Sequence, residues 1–389
     1  MTNSAIMNTY ARYPLTLVRG RGCRVQDDSG NEYLDFISGI AVNTLGHAHP
    51  AIQQAITEQA KEILHCSNLF HIPAQEALAK RLAGLSGLSK VFFCNSGAEA
   101  NEAAIKLARR YFYLKGSTRR TVITAKQSFH GRLLSTLAAT GQEKVKIGFD
   151  PLPTGFHHVA LNAYIELDQA IDEHTAAIML EPIQGEGGIH VASHNYLQMV
   201  RALCDEHGIL FILDEVQTGV GRCGTMFAHE QAGIKPDVLT LGKGLGGGMP
   251  IACMIANEAT ENTLSPGTHG STFGGNPMVC RAALAVLDVI ESENLLHNVH
   301  VQGAYFSHGL TAIAEAHDEF LDVRGQGLLL GLGSTVAVAA FISQCRDDGL
   351  LVLPAGSHVV RFLPPLNVTE ADIDEALMII KQAAIKVFS

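Results

Sequence analysis

Short β-branched or apolar runs, each followed by a turn and an amphipathic helix, recur along the chain: Val91 to Cys94, Thr121 to Thr124, Ala177 to Leu180, Ile209 to Leu213 and Val238 to Leu241. Runs that are apolar on both faces and alternate with helices predict a largely parallel sheet covered on both sides. In such sheets ligands gather at the carboxyl ends of the strands. Beyond about residue 280 the texture changes to a long helical pattern, short strands around Leu328, Leu351 to Leu353 and Val359 to Leu363, and a last helix. That helix opens on Thr369 with Asp372 three residues on, a capping-box-like pair, and its apolar stripe runs Ile373, Leu377, Ile380, Ala384. The expected architecture is therefore α/β, with a large domain over residues 50–280 and a smaller α+β domain over 281–389. Residues 1–49, with strands near Cys23 to Val25 and Glu32 to Phe36, are expected to join the smaller one.

Composition narrows the function classes. With 389 residues, 47% of them hydrophobic, the chain can bury a substantial core. A net charge of -10 without any long run of Lys or Arg provides no footprint for nucleic acid or an anionic membrane, so small-molecule chemistry is favoured. The stretch Gly325 to Cys345 is uncharged and of membrane-spanning length, but its glycines split it into a strand-like Leu328 to Leu332 and a helix-like Val336 to Cys345. Met1 to Leu17 lacks the apolar core of a signal peptide, so a cytoplasmic protein is expected. The eight cysteines stand singly, without metal or disulfide spacing, and read as reduced thiols.

Four strand ends carry polar groups that a core does not need. At Asn95-Ser96-Gly97-Ala98-Glu99 an apolar strand runs into a helix striped by Ala100, Ala103, Ala104, Leu107, Ala108 and Tyr111. Free N–H groups at such a helix start attract a phosphate, while Ser96 with Glu99 also fits an ordinary capping box; the two readings can coexist. Asp214, delivered by a buried strand, needs a cationic partner, either a protonated pyridine nitrogen or a structural arginine. Lys243 lies between glycines directly after a strand, where a desolvated amine can form an imine with an aldehyde cofactor. Gly242, Gly244 and Gly247 also fit G-x-G-x-x-G, but Met249-Pro250 and a strand follow where a dinucleotide site needs a helix. The fourth segment, His269 to Pro277, is a polar loop in which Ser271 and Thr272 could donate to a phosphate. His47 and His49 suggest a metal at first glance, yet no third ligand accompanies them, and no metal is expected.

Taken together, these segments resemble the class III aminotransferases of pyridoxal 5'-phosphate (PLP) fold type I, from about Tyr10 to the C-terminus. The stretches that carry the resemblance are Tyr33-Leu34-Asp35-Phe36, Gly39 to Asn43 with Leu45-Gly46-His47, Ser96 to Ala108, Phe129-His130-Gly131-Arg132, Glu181-Pro182, Gln184 to Gly188, Asp214 to Gln217, Lys243, and His269 to Pro277. The resemblance implies that Lys243 binds the cofactor's aldehyde and later moves a proton, that Asp214 faces the ring nitrogen, and that Phe129 stacks on the ring. It places Gln217 near the phenolic oxygen, and Ser96, Gly97, Ala98, Glu215 and Val216 among the cofactor contacts. Thr272 would complete the phosphate cradle from the other subunit of a homodimer. For the substrates, Arg132 resembles the arginine that holds the donor's carboxylate, with Ser271 near the same site. Arg361 resembles a second arginine, paired with Glu186 while the donor is bound and freed for the α-carboxylate of 2-oxoglutarate or glutamate; a fixed surface salt bridge is the alternative for that pair.

Within the class the chain is similar to the members that take N-acetylornithine as amino donor and 2-oxoglutarate as acceptor, which implies ping-pong kinetics. Ile40 stands where ornithine-specific members tend to carry an aromatic residue. Succinyl-diaminopimelate, succinylornithine, ornithine and 4-aminobutyrate remain alternative donors, an aminomutase is an alternative reaction, and a non-catalytic PLP-binding dimer is the reading from a different class.

Overall fold

Seven strands form the central sheet in the order Lys90–Cys94, Ala252–Ala256, Val238–Leu241, Leu210–Asp214, Thr175–Leu180, Thr121–Ala125, Phe156–Val159. Every neighbouring pair is parallel except those made by Ala252–Ala256, which runs against both of its neighbours. In this computed structural model residues 5–388 are described; the first four residues of the Met1 to Leu17 stretch, and Ser389, lie outside the described residues.

Strand alternation divides the core into two layers. Leu210, Ile212, Ala177, Met179 and Val122 pack with Ala103, Ala104, Leu107 and Ala108 of the Gly97–Leu114 helix. Their alternates Phe211, Leu213, Ile178 and Leu180 pack on the opposite face with Leu197, Val200 and Leu203 of the His194–His207 helix. Both faces are dry, which is why these strands read as unbroken apolar runs. Ala-rich packing lets the Gly97–Leu114 helix lie close to the sheet, and so brings the helix start to the strand ends.

The chain's two ends meet elsewhere. Leu17–Arg21, Arg24–Asp27 and Glu32–Asp35 form an antiparallel sheet whose last strand pairs in parallel with Leu350–Leu351. Phe320–Gln326, Leu329–Ser334, Val359–Phe362 and Leu353–Pro354 form a separate antiparallel sheet. The uncharged stretch resolves into the strand Leu329–Ser334 and the helix Ala339–Asp347, somewhat later than its pattern predicts, because the Ser334 hydroxyl accepts the Val336 N–H and holds a turn between them. No helix among the described residues is long and apolar enough to cross a membrane. The last helix, Glu370–Phe388, starts as its pattern predicts: Thr369 and Asp372 exchange bonds, N–H of each to side chain of the other, at 3.1 and 3.2 Å.

Candidate active site

The carboxyl ends of the strands open on a cavity of about 230 Å³ lined by Gly97, Ala98, Asn101, Phe129, His130, Gly131, Arg132, Glu181, Glu186, Asp214, Val216, Gln217 and Lys243. The Gly97–Leu114 helix supplies one wall. Ser96 caps it, its hydroxyl accepting the Glu99 N–H at 3.3 Å, while the Glu99 carboxylate reaches one residue beyond the usual box to the Asn95 N–H at 2.7 Å. No described group accepts from the N–H of Gly97 or Ala98, so two oriented donors at the positive end of the helix are free to bind an anion. Gly97 has to be glycine here: a Cβ would come within 2.6 Å of the Val216 side chain.

Asp214 ends the Leu210–Asp214 strand, 4% exposed. Its Oδ2 accepts from Asn101 Nδ2 at 2.7 Å and contacts His130 Nδ1 at 2.8 Å, while Oδ1 takes the Val216 N–H at 3.0 Å. No arginine reaches it, so the structural ion pair that its sequence context also allowed is not made within the described chain.

Lys243 follows the Val238–Leu241 strand at φ +40°, a left-handed conformation that residues with a Cβ seldom adopt. Burial pulls the amine's pKa below the ordinary lysine range, against the opposing charge of Glu186, whose Oε1 lies 3.9 Å away. Lys243 and Asp214 line the same cavity but form no ion pair with each other.

Two further carboxylates, Glu181 and Glu186, line the cavity beside this centre, and they behave differently. Glu181 follows the Thr175–Leu180 strand and accepts the Phe129 N–H at 3.0 Å; burial, then the charge of Asp214, raises its pKa well above the carboxylate range. Glu186 is also pushed up by burial, but Arg361, Lys243 and a hydrogen bond from Gln217 outweigh that and hold it at about 2. Arg361 is 2% exposed and reaches the partly exposed Glu186 with both terminal nitrogens, at 2.5 and 3.2 Å, so this is a bidentate pair on a buried arginine and not a surface bridge. Glu215 corrects an expectation. Placed with the cofactor contacts by the resemblance, it points away from the cavity, its carboxylate accepting the N–H groups of Ala228 and His229 at 2.6 and 2.9 Å.

Other expected contacts divide the same way. Phe129, Val216, Gln217 and Arg132 line the cavity, and the Arg132 guanidinium lies over the Phe129 ring at 5.7 Å without a carboxylate partner among the described residues. Ser96 stands at the helix start without lining the cavity, its hydroxyl accepting the Glu99 N–H and keeping its own O–H to donate. Ser271 does not line the chain's own cavity: its hydroxyl accepts the Gly274 N–H at 2.9 Å and the Asn95 amide at 3.3 Å. Thr272 is exposed outside that cavity. His47 pairs with Asp35 at 2.7 Å and His49 caps the Pro50–Ala60 helix; no group of three His, Cys, Asp or Glu among the described residues could hold a metal. Asn101, His130 and Glu181 received no role from the sequence, although all three lie inside stretches that carry the resemblance.

These groups suit a flat, phosphorylated, heteroaromatic aldehyde. Free amide donors stand at the helix start for a phosphate, a desolvated amine for the aldehyde, a carboxylate without an arginine or lysine partner for a protonated ring nitrogen, and a half-buried phenyl ring for the flat face.

Comparison with known proteins agrees. Residues 6–384 match the family described as aminotransferase class-III. Acetylornithine aminotransferase of Caldanaerobacter subterraneus is 51% identical over 96% of this chain and 96% of its own length, and that of Nostoc is 48% identical over 98% and 92%. Among solved structures, N-acetylornithine aminotransferase of Stenotrophomonas maltophilia superposes with a TM-score of 0.86 at 38% identity, covering 97% of each chain. An ornithine aminotransferase of Toxoplasma gondii, described with partial PLP occupancy at its active site, superposes with a TM-score of 0.95 at 32% identity, covering 98% of this chain and 92% of its own.

Proposed function

Since the chain belongs to the class-III aminotransferase family, we propose that Lys243 carries the PLP cofactor, that Asp214 holds the proton on its ring nitrogen, and that Arg132 and Arg361 hold the substrates' carboxylates. The enzyme is a PLP-dependent aminotransferase that moves the terminal amine of N2-acetyl-L-ornithine to 2-oxoglutarate, a step of arginine biosynthesis that yields N-acetylglutamate semialdehyde and glutamate. One observation carries the assignment of residues: a desolvated amine and an arginine-free carboxylate line one cavity, with a releasable arginine behind Glu186.

When bound, PLP supplies an aldehyde for the amine and a ring that spreads the negative charge left by a departing proton. The chain supplies the rest. Gly97 and Ala98 bind the phosphate through their N–H groups, Phe129 and Val216 fix the ring plane, and Gln217 stands near the phenolic oxygen. Lys243 Nζ, less basic than an exposed lysine, accepts the proton that leaves the donor's amine-bearing carbon and later returns it.

Substrate choice follows from charge. Arg132, free of a carboxylate partner, holds the carboxylate of N-acetylornithine, which lies far from the reacting amine. Near that amine the donor has no carboxylate, so Glu186 keeps Arg361 occupied. 2-Oxoglutarate carries its α-carboxylate beside the keto carbon and takes Arg361 over when Glu186 turns aside.

The active unit is a homodimer, with Thr272 of the partner subunit completing the phosphate site. Exposure supports this: Phe273, beside Thr272, is 60% exposed, and Leu69 and Phe70, next to the Asn68 that binds Ser271 O, are 89% and 67% exposed. The enzyme works in the cytoplasm. Residues 50–280 form its cofactor domain and 281–389, with 1–49, its smaller domain.

Single-turnover bleaching of the cofactor band tests the donor, with N-acetylornithine, ornithine, succinylornithine, succinyl-diaminopimelate and 4-aminobutyrate in parallel. N-acetylornithine is expected among the fastest. Ornithine reacting far faster than its acetyl derivative would overturn the donor and leave the family in place.

A further inference from the structure

Asn101 is an amide in an apolar place. It stands on the Gly97–Leu114 helix beside Ala100, Ala104, Ile105 and Ala108, all buried, and is itself 2% exposed. An amide so placed is costly unless its hydrogen bonds are made, and those of Asn101 are. Nδ2 donates to Asp214 Oδ2 at 2.7 Å and to the His130 carbonyl at 2.9 Å, and Oδ1 accepts from the Thr240 hydroxyl at 2.7 Å. Turning the amide over would set its oxygen against a carboxylate and a carbonyl, so the network itself fixes the orientation. Thr240 lies directly beside Asp214 in the parallel register of their strands. The sheet thus holds both ends of the arrangement, and the helix bridges them.

The bridge has a chemical consequence. Asp214 Oδ2 is taken by Asn101 and His130, and Oδ1 by a single backbone N–H, so the remaining capacity of the carboxylate lies on Oδ1. Donors on a carboxylate also make it a weaker base, which favours leaving a shared proton on the partner. We propose that Asn101, oriented by Thr240, is a positioning residue that saturates Oδ2 of Asp214, leaves Oδ1 for the cofactor's ring nitrogen, and keeps the proton on that nitrogen. The proposal rests on the reading that Asp214 faces that nitrogen.

Three variants test it: Asn101→Leu, which keeps the size and removes the donors; Asn101→Asp; and Thr240→Val, which leaves Asn101 without its orienting hydroxyl. Two quantities are measured on each, the dissociation constant of PLP from the apoenzyme and the ¹⁵N shift of cofactor labelled at the ring nitrogen. Loss of a hydrogen bond to a charged group weakens binding by about 10- to 100-fold, so Asn101→Leu should bind PLP that much more weakly and move the ring-nitrogen resonance toward the unprotonated form. Thr240→Val should move both in the same direction by less, and it covers the case in which Asn101→Leu does not fold. Asn101→Asp should approach the wild type only at acidic pH, where a protonated Asp can again donate to Asp214, a pH signature that a role in packing would not produce. Wild-type resonance and affinity in both Asn101→Leu and Thr240→Val would overturn the proposal. A wild-type enzyme whose bound cofactor lacks a protonated ring nitrogen would instead overturn the role of Asp214 on which it rests.

Discussion

Arg361 holds Glu186 through both terminal guanidinium nitrogens while a third contact, to the Gly185 carbonyl at 2.6 Å, fixes it to the loop. The arginine is therefore paired but exchangeable, because the partner that balances its charge is a single side chain, itself partly exposed. Arg361→Gln should slow the 2-oxoglutarate half-reaction by about 100-fold or more, the size expected when one member of a desolvated charge pair is truncated. The N-acetylornithine half-reaction should fall by about tenfold at most, since its donor makes no demand on Arg361. Stopped-flow rates of the two half-reactions check this, and an equal loss in both would remove the gating role.

Arg132 lines the cavity without a carboxylate of its own. Arg132→Gln should raise the KM for N-acetylornithine by about 10- to 100-fold, the worth of a charge-assisted hydrogen bond. Initial-rate kinetics with varied donor are sufficient. An unchanged KM would place the donor's carboxylate elsewhere.

Glu181 makes a prediction about pH. Its folded pKa is raised by burial and by Asp214, so above the unfolded carboxylate value near 4.3 the folded state binds the proton that the unfolded state has lost. Fewer protons bound on unfolding means that stability falls as pH rises through this window. Glu181→Gln keeps an oxygen for the Phe129 N–H and removes the titration, so the variant should gain in Tm over the wild type as pH rises from about 4.5 toward 8. Thermal unfolding of both apoproteins across that range checks the slope, and a difference independent of pH would contradict it.

The parts of the fold legible in the sequence are those where burial on both faces leaves an unbroken apolar run. Val238 to Leu241 matches its strand, and the runs around Val91, Thr121, Ala177 and Ile209 fall within two residues of theirs. The edge strand Phe156–Val159 stayed hidden because its two histidines and partial exposure erase the pattern. In the site, residues whose chemistry shows locally, such as Lys243 and Asp214, were legible, whereas Asn101, His130 and Glu181, though inside the stretches singled out, are defined by tertiary contacts that were not. Asn101 sits in a run of alanines, and nothing local says that the sheet will bring Asp214 to it. Glu215 shows the opposite error, since the resemblance placed it among the cofactor contacts, whereas just beyond the strand end its carboxylate turns away from the cavity toward His229. Ser271 was legible as chemistry but not as location, since it does not line its own chain's cavity, while Thr272, expected to serve the other subunit, is exposed outside that cavity.

The most direct measurement is to reduce the holoenzyme with borohydride, digest it and map the phosphopyridoxyl group by peptide mass spectrometry. The account predicts a single stoichiometric adduct on the peptide containing Lys243, and none in Lys243→Ala. An adduct on another lysine, with Lys243 unmodified, would contradict it.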